Sequence, residues 1–142
     1  MKRVFIDTWG WISLFNRKER QHEQVSRLYR TVSGAAGRMI TTDYVLDEVW
    51  TMLFKRVPFS VARDALEAVS GAVAAGYLLL ERISPARFEA AQQLRLMLHD
   101  KPDISFTDLT TMTVMRELGI TDIITGDAHF THVGMGFVLL PE

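Results

Sequence analysis

The segment R-V-F-I-D-T-W-G-W-I-S-L-F, residues 3–15, decides the fold. Its first four residues, Arg3 to Ile6, form a short β-prone run that stops at Asp7. From Thr8 to Phe15 the apolar side chains instead recur at helical spacing. The segment therefore predicts a buried strand that passes directly into a helix, with an aspartate at the junction.

The same alternation continues along the chain. Further strands are predicted at Met39–Ile40, Tyr77–Leu80 with Ile83, Ile120–Thr125 and Phe137–Leu140, and helices at His22–Val32, Val45–Leu53, Ser60–Ala75, Pro85–Leu98 and from Ser105 to a stop at Gly119. Short strands that are apolar on both faces and separated by helices favour a mostly parallel sheet covered on both sides. We predict an α/β three-layer fold with a mostly parallel central sheet flanked by helices, in one domain, residues 1–142.

The composition excludes several classes of protein. The 142 residues are 48% hydrophobic and 23% charged, enough apolar material for a core and too little net charge for disorder. Cysteine is absent, which removes disulfide scaffolds, thiolate metal sites and cysteine nucleophiles. Any metal must therefore be held by oxygen or imidazole.

The charge balance and the N-terminus give two further expectations. A net charge of −1 and a pI near 6.4 argue against a simple polyanion-binding protein. If four of the carboxylates surrounded a bound cation, however, the remaining side chains would carry a net positive charge. The apolar run before Asp7, residues 4–6, has only three residues, too few for a signal peptide, and no apolar run is long enough for a membrane span. We therefore expect a cytoplasmic protein.

Acidic residues follow the predicted strands. They are Asp7 after the first strand, Asp43, Asp47 and Glu48 after the second, Asp127 after the strand that ends at Thr125, and Asp103 and Asp108 at the start of the preceding helix. The carboxyl ends of parallel strands share one edge of a sheet, where α/β proteins bind ligands. Carboxylates that converge there need a compensating cation, and oxygen ligands favour Mg²⁺ or Mn²⁺. Such a site suits metal-assisted hydrolysis of phosphodiesters.

Four segments together carry a resemblance to a known family. They are D-T at 7–8, T-D-Y-V-L-D-E at 42–48, I-S-F-T-D at 104–108 and T-G-D-A-H-F at 125–130. In this order and in a chain of this length they resemble a PIN domain, specifically the VapC-type toxin ribonucleases. The resemblance runs from about Val4 to Phe137.

The resemblance implies a PIN-like (Rossmann-like) fold and a Mg²⁺- or Mn²⁺-dependent endoribonuclease, the toxin of a toxin–antitoxin pair, that hydrolyses RNA phosphodiesters by metal-activated water. It also implies a VapB-like antitoxin that occupies the acidic cleft, and a homodimer built partly from exposed apolar helices. Position by position it assigns metal binding and catalysis to Asp7, Glu48, Asp108 and Asp127, with Thr125 and Ser105 as possible supporting residues. The sequence departs from the family at Trp9, where a small polar residue is common.

Structural interpretations compete with these assignments. Asp7 could simply cap the first helix, and Ser105 with Asp108 suits a capping pair. Asp47 is the rival of Glu48, although helical spacing turns the two side chains about 100° apart. For His129 the alternatives are a base and a surface or partly packed histidine next to Phe130, of which the second is favoured. The exposed basic cluster at Arg17, Lys18 and Arg20 could contact RNA or the acidic tail of a partner.

Two other functions remain as alternatives at this stage. A receiver-like, Mg²⁺-binding signalling domain without nuclease activity also places acids at the ends of parallel strands. It would need an acidic pair after the first strand and a lysine after the last strands, and no lysine occurs beyond Lys101. A PIN-domain factor that processes RNA without being a toxin cannot be separated from a toxin by these residues.

Overall fold

Five short strands form one all-parallel sheet in the computed structural model, which describes residues 2–142. The strands are β1 (Arg3–Ile6), β2 (Arg38–Thr42), β3 (Leu78–Glu81), β4 (Asp122–Ile124) and β5 (Val138–Leu140). Their order across the sheet is β3-β2-β1-β4-β5, and every neighbouring pair is parallel. The predicted parallel α/β fold is confirmed.

Helices cover the sheet. They are α1 (Thr8–Phe15), α2 (His22–Gly34), α3 (Asp43–Arg56), α4 (Phe59–Ala74), α5 (Pro85–Met97), α6 (Phe106–Leu118) and α7 (His129–His132). The successive β1 residues Val4, Phe5 and Ile6 point alternately to opposite faces, yet all three are fully buried. The central strand is therefore covered on both faces, as a three-layer fold requires.

The packing of α1 on the sheet depends on a glycine. A Cβ atom at Gly10 would lie 2.7 Å from Cγ1 of Ile6 and 3.0 Å from Cγ2 of Ile124. Because neither atom belongs to the end of a long flexible side chain, only glycine lets the helix approach the strands this closely. This close approach holds the start of α1, and Asp7 before it, against the carboxyl ends of β1 and β4.

The order of the strands reverses at the centre of the sheet. From β1 the chain adds β2 and β3 on one side, then returns to add β4 and β5 on the other. Ile6 is paired with Ile124, and the backbone N–H of Asp7 donates to the carbonyl of Ile124 at 3.3 Å. This is the topological switch point, where a parallel sheet leaves a crevice for ligands.

Within residues 2–142, no helix has both the length and the apolar character needed to cross a bilayer.

Candidate active site

A cleft of about 510 Å³ opens at the switch point, beyond the carboxyl ends of β1 and β4. We call it the acidic cleft. Its lining residues are Asp7, Thr8, Trp9, Glu48, Asp103, Ser105, Asp108, Gly126, Asp127, Ala128 and His129. The structure thus brings together the four predicted carboxylates from four separate segments of the chain.

Asp7 serves both as a helix cap and as a cleft residue. One of its carboxylate oxygens accepts the backbone N–H of Gly10 at 3.0 Å, and the residue is 5% exposed. The pKa of Asp7 is raised from 3.8 to about 7, chiefly by burial and to a smaller extent by the charges of Asp127 and Glu48, against the lowering effect of hydrogen bonds from Thr125 and Gly10. The two interpretations of this aspartate are therefore compatible.

Glu48 reaches the acidic cleft from α3. The hydroxyl of Thr8, the first residue of α1, donates to Oε1 of Glu48 at 2.7 Å. This bond fixes the carboxylate against the end of β1. The rival Asp47 is exposed and does not line the acidic cleft, as the different directions of adjacent helical side chains require.

Asp108 enters from the first turn of α6. The Ser105 hydroxyl caps this helix by accepting the Asp108 backbone N–H at 3.0 Å, so half of the suggested capping pair is present. The Asp108 carboxylate instead lies close to Asp127 and His129. Burial raises the pKa of Asp108, and its contact with Asp127 raises it further.

Asp127 is held in a turn after β4. Its backbone N–H donates to the Thr125 hydroxyl at 3.0 Å, and its Oδ1 accepts the backbone N–H of His129 at 2.9 Å. Thr125 is buried and contacts both Asp7 and Asp127. It therefore joins the two carboxylates that follow β1 and β4, while Ser105 acts through the cap of α6.

Six of the residues that line the acidic cleft were not among the predicted site residues, and His129 and Trp9 are two of them. His129 begins α7, a four-residue helix with too few turns to give a periodic signal, and its Nδ1 lies 3.0 Å from Oδ1 of Asp127. Trp9 is half-buried and lies against Gly126, where a Cβ atom would be 2.5 Å from the indole. The T-G-D turn therefore needs glycine because Trp9 occupies the space of a side chain.

The remaining polar candidates lie elsewhere. Asp43 accepts the backbone N–H of Ile83 at 2.9 Å and ties α3 to the segment after β3. Arg17 and Lys18 line a separate groove of about 670 Å³ with apolar residues of α1 and α4, and Arg20 lines neither this groove nor the acidic cleft.

The charge in the acidic cleft is uncompensated by the protein. Within residues 2–142, no lysine or arginine lines the cleft or lies within 4.0 Å of the four carboxylates. Ligand atoms of Asp108, Asp127 and His129 all lie within 4.8 Å of one another. The Nδ1 atom of His129 is buried without a hydrogen-bond partner. Oxygen donors, a free imidazole nitrogen and excess negative charge are what a divalent cation requires.

A parallel sheet with an acidic cleft at its switch point defines an α/β protein equipped for metal-assisted phosphate chemistry. The model of the PIN domain family matches residues 4–135, so the chain belongs to the PIN domain family. The predicted family and the predicted class of enzyme, a nuclease, are confirmed.

Two findings concern one relative in Mycobacterium tuberculosis. The chain is 29% identical over 131 residues to the 23S rRNA-specific endonuclease VapC20, an alignment that covers 92% of this chain and 94% of that protein. The crystal structure of VapC20, described as a sarcin-ricin loop cleaving toxin, matches with a TM-score of 0.76 over 95% of this chain and 96% of that one.

Two more distant structures share the fold. VapBC2 from Rickettsia felis, bound to a promoter DNA fragment, matches with a TM-score of 0.72 at 14% identity over 96% of each chain. DNA-bound VapBC from Salmonella typhimurium matches with a TM-score of 0.67 at 16% identity over 98% of this chain and 97% of that one.

Proposed function

We propose that this protein is an endoribonuclease that depends on a divalent cation, Mg²⁺ or Mn²⁺, and acts as the toxin of a toxin–antitoxin pair. One observation carries the proposal. Asp7, Glu48, Asp108 and Asp127 converge on the acidic cleft with no lysine or arginine among its described lining residues. Burial and mutual repulsion make this arrangement unfavourable without a cation.

Asp7, Glu48, Asp108 and Asp127 would hold one or two cations. A bound divalent cation supplies Lewis acidity, which lowers the pKa of the attacking water and neutralises charge on the phosphodiester. The chain's own residues orient the carboxylates beforehand. Gly10 and Thr125 fix Asp7, while Thr8 holds Glu48 through its 2.7 Å hydrogen bond. Preorganised ligands of this kind lower the cost of binding both cation and phosphate.

We propose RNA as the substrate and ribosomal RNA as the first target to test. The argument for ribosomal RNA is the likeness to VapC20, which is named as specific for 23S rRNA. The acidic cleft offers a negatively charged substrate no lysine or arginine among its described lining residues, so a bound cation must compensate the phosphate charge locally. Exposed arginines outside the cleft, Arg17 and Arg20 among them, remain candidates for contacts with more distant phosphates.

The decisive experiment uses a matched pair of neighbouring acids. Purified protein is incubated with intact ribosomes and with total RNA in Mg²⁺ or Mn²⁺, and a parallel sample contains EDTA. We expect cleavage that EDTA abolishes, that Glu48→Gln reduces by at least about 10²-fold, and that Asp47→Asn leaves unchanged.

Circular dichroism establishes that both variants fold. Cleavage that persists in Glu48→Gln, or in EDTA, would contradict the assignment of the cleft. Equal loss in Asp47→Asn would show that the charge of the whole helix matters, and the specific role of Glu48 would be wrong.

We also propose a small VapB-like antitoxin as partner. Its support is that two of the similar structures are VapBC complexes and that a protein segment over the acidic cleft would block access of RNA. Co-expression with a VapB-like protein from the same genome, followed by copurification and a cleavage assay, tests it. A copurifying protein that suppresses cleavage is expected, and unchanged cleavage in its presence would reject an inhibitory role.

A homodimer is the last part of the proposal. Phe54 and Phe59 contact each other with ring centroids 5.8 Å apart, and they are 38% and 68% exposed. With Val61, which is 40% exposed, they form an apolar surface on α3 and α4 that a second copy could bury. Sedimentation of the wild type and of Phe59→Asp is expected to give a dimer and a monomer.

A further inference from the structure

We propose that His129 is an additional metal ligand and that its imidazole makes the acidic cleft select Mn²⁺ over Mg²⁺. This inference rests on the proposed function, because it concerns the same cation. It adds a nitrogen donor to a site whose other donors are carboxylate oxygens, and thereby names which of the two cations, Mg²⁺ or Mn²⁺, the site prefers.

The position of His129 is fixed by the backbone around it. Its N–H donates to Oδ1 of Asp127 at 2.9 Å. The next residue, Phe130, is 1% exposed and packs on Phe137 with ring centroids 5.8 Å apart. The histidine therefore begins a helix that is anchored both in the core and on a cleft carboxylate, so its imidazole has little freedom to leave the cleft.

The imidazole has no other partner to satisfy it. Nδ1 is buried, and among residues 2–142 it makes no hydrogen bond. It lies 3.0 Å from Oδ1 of Asp127, but the angles at the two atoms do not meet the requirements of a hydrogen bond. A buried polar atom left without a partner is costly, and a cation between the two groups would satisfy both.

The separations suit ligands of one ion. Adjacent ligands of an octahedral cation with bonds of about 2.1 Å lie roughly 3 Å apart, and opposite ones roughly 4.2 Å apart. The distance between Nδ1 of His129 and Oδ1 of Asp127 is 3.0 Å. One ligand atom from each of Asp108, Asp127 and His129 lies within 4.8 Å of the other two. The His129–Asp127 pair thus has the spacing of neighbouring ligands before any cation is added, and Asp108 lies beside this pair.

The chemistry of the nitrogen donor decides which cation benefits. Mg²⁺ is hard, retains its waters and takes carboxylate or phosphate oxygens. Imidazole suits first-row transition metals, and affinity for such a site rises from Mn²⁺ onward along the series. A mixed set of carboxylates and one imidazole therefore favours Mn²⁺ relative to Mg²⁺, whereas the four carboxylates alone would discriminate weakly.

The test uses MnCl₂ alone with the full chain and reads coordination directly by pulsed electron paramagnetic resonance. We expect nitrogen coupling to bound Mn²⁺ that changes when the histidines carry ¹⁵N. The coupling should disappear in His129→Gln. In the same variant, affinity for Mn²⁺ should fall by about tenfold or more while affinity for Mg²⁺ changes little.

The matched control is His132→Gln, three residues further along α7, where the histidine is exposed and does not line the acidic cleft. It should keep both the nitrogen coupling and the Mn²⁺ affinity. Thermal unfolding of both variants in EDTA checks that α7 remains folded.

The experiment distinguishes a failure of this inference from a failure of the proposed function. If Mn²⁺ binds and Asp7→Asn abolishes binding, but no histidine nitrogen couples to the ion, the role of His129 is overturned and the nuclease site stands. If the wild type binds no Mn²⁺, or if Asp7→Asn binds it as well as the wild type, both the proposed function and this inference are overturned.

Discussion

Asp7→Asn is expected to make the metal-free protein more stable at alkaline pH, even though it removes a proposed ligand. Folding raises the pKa of the Asp7 carboxyl from 3.8 to about 7, so the folded state binds the proton more tightly than the unfolded chain does. The contribution of this group to stability is therefore greatest below pH 3.8 and is lost as the pH rises through about 7.

The size of the effect follows from the two pKa values. The ionisation of Asp7 costs the folded state about 1.5 kcal/mol at about pH 5 and about 4 kcal/mol at about pH 8. The wild type should thus lose about 2.5 kcal/mol over this interval through Asp7 alone, an upper estimate because water can enter a cleft. Asparagine caps a helix as well as aspartate does, so the variant keeps the bond to Gly10 without the charge.

The assay is urea unfolding in EDTA at the two pH values. The control variant is Asp103→Asn, which changes an exposed residue of the same cleft. The wild type and the control should lose stability at the higher pH, and Asp7→Asn should lose about 2 kcal/mol less, or about 4–8 °C in thermal unfolding. Added Mn²⁺ should then stabilise the wild type and not Asp7→Asn. Equal losses in the wild type and Asp7→Asn would refute the raised pKa and the burial from which it was argued.

Three further predictions concern residues that support the acidic cleft. Gly126→Ala should lower the free energy of unfolding in urea by about 1–3 kcal/mol, because its Cβ would lie 2.5 Å from the Trp9 indole. The same change in a Trp9→Ser background should lower it little. Arg95→Met should cost about 2–3 kcal/mol and speed hydrogen exchange in the loop at 98–104, since the guanidinium donates to three of its carbonyls. Thr8→Val should weaken Mn²⁺ binding by about tenfold in calorimetry, because it removes the 2.7 Å bond to Glu48; undiminished binding would reject that role.

The order of the strands and of helices α1 to α6 could be predicted from the sequence because each of these helices carries a local signal, which the four-residue α7 lacks. The predicted Ser105 cap and Gly119 stop bound α6 as expected, with φ of 68° at Gly119. Strand β2 extends to Thr42, further than predicted. The prediction stopped short because Thr41 and Thr42 are polar, yet both are fully buried. The Thr41 hydroxyl donates to the carbonyl of Ile6 at 3.1 Å and accepts the Trp11 indole N–H. Such tertiary hydrogen bonds leave no periodic trace in a sequence.

Less of the site than of the fold could be predicted from the sequence. The positions of Asp7 and Asp127 after strands follow from topology, because parallel strands bring their carboxyl ends together. The choice of Glu48 over Asp47 needed the resemblance to a family, and the structure gives its geometric reason in the bond from Thr8. The cleft position of His129 could not be predicted, because α7 is too short to have a period.

The carboxylates that we propose as cation ligands must destabilise the fold when no cation is bound. Asp7 and Asp108 have raised pKa values because both are buried beside other acids, and no described lysine or arginine in the acidic cleft offsets them. Replacing them with neutral side chains would improve the stability of the metal-free chain, so stability alone does not account for this arrangement. Binding of a divalent cation converts the repulsion into attraction, and it should release protons as it does so. Proton release on addition of Mn²⁺ at about pH 7, reduced in Asp7→Asn, is therefore the signature that separates a functional carboxylate cluster from a group of helix caps.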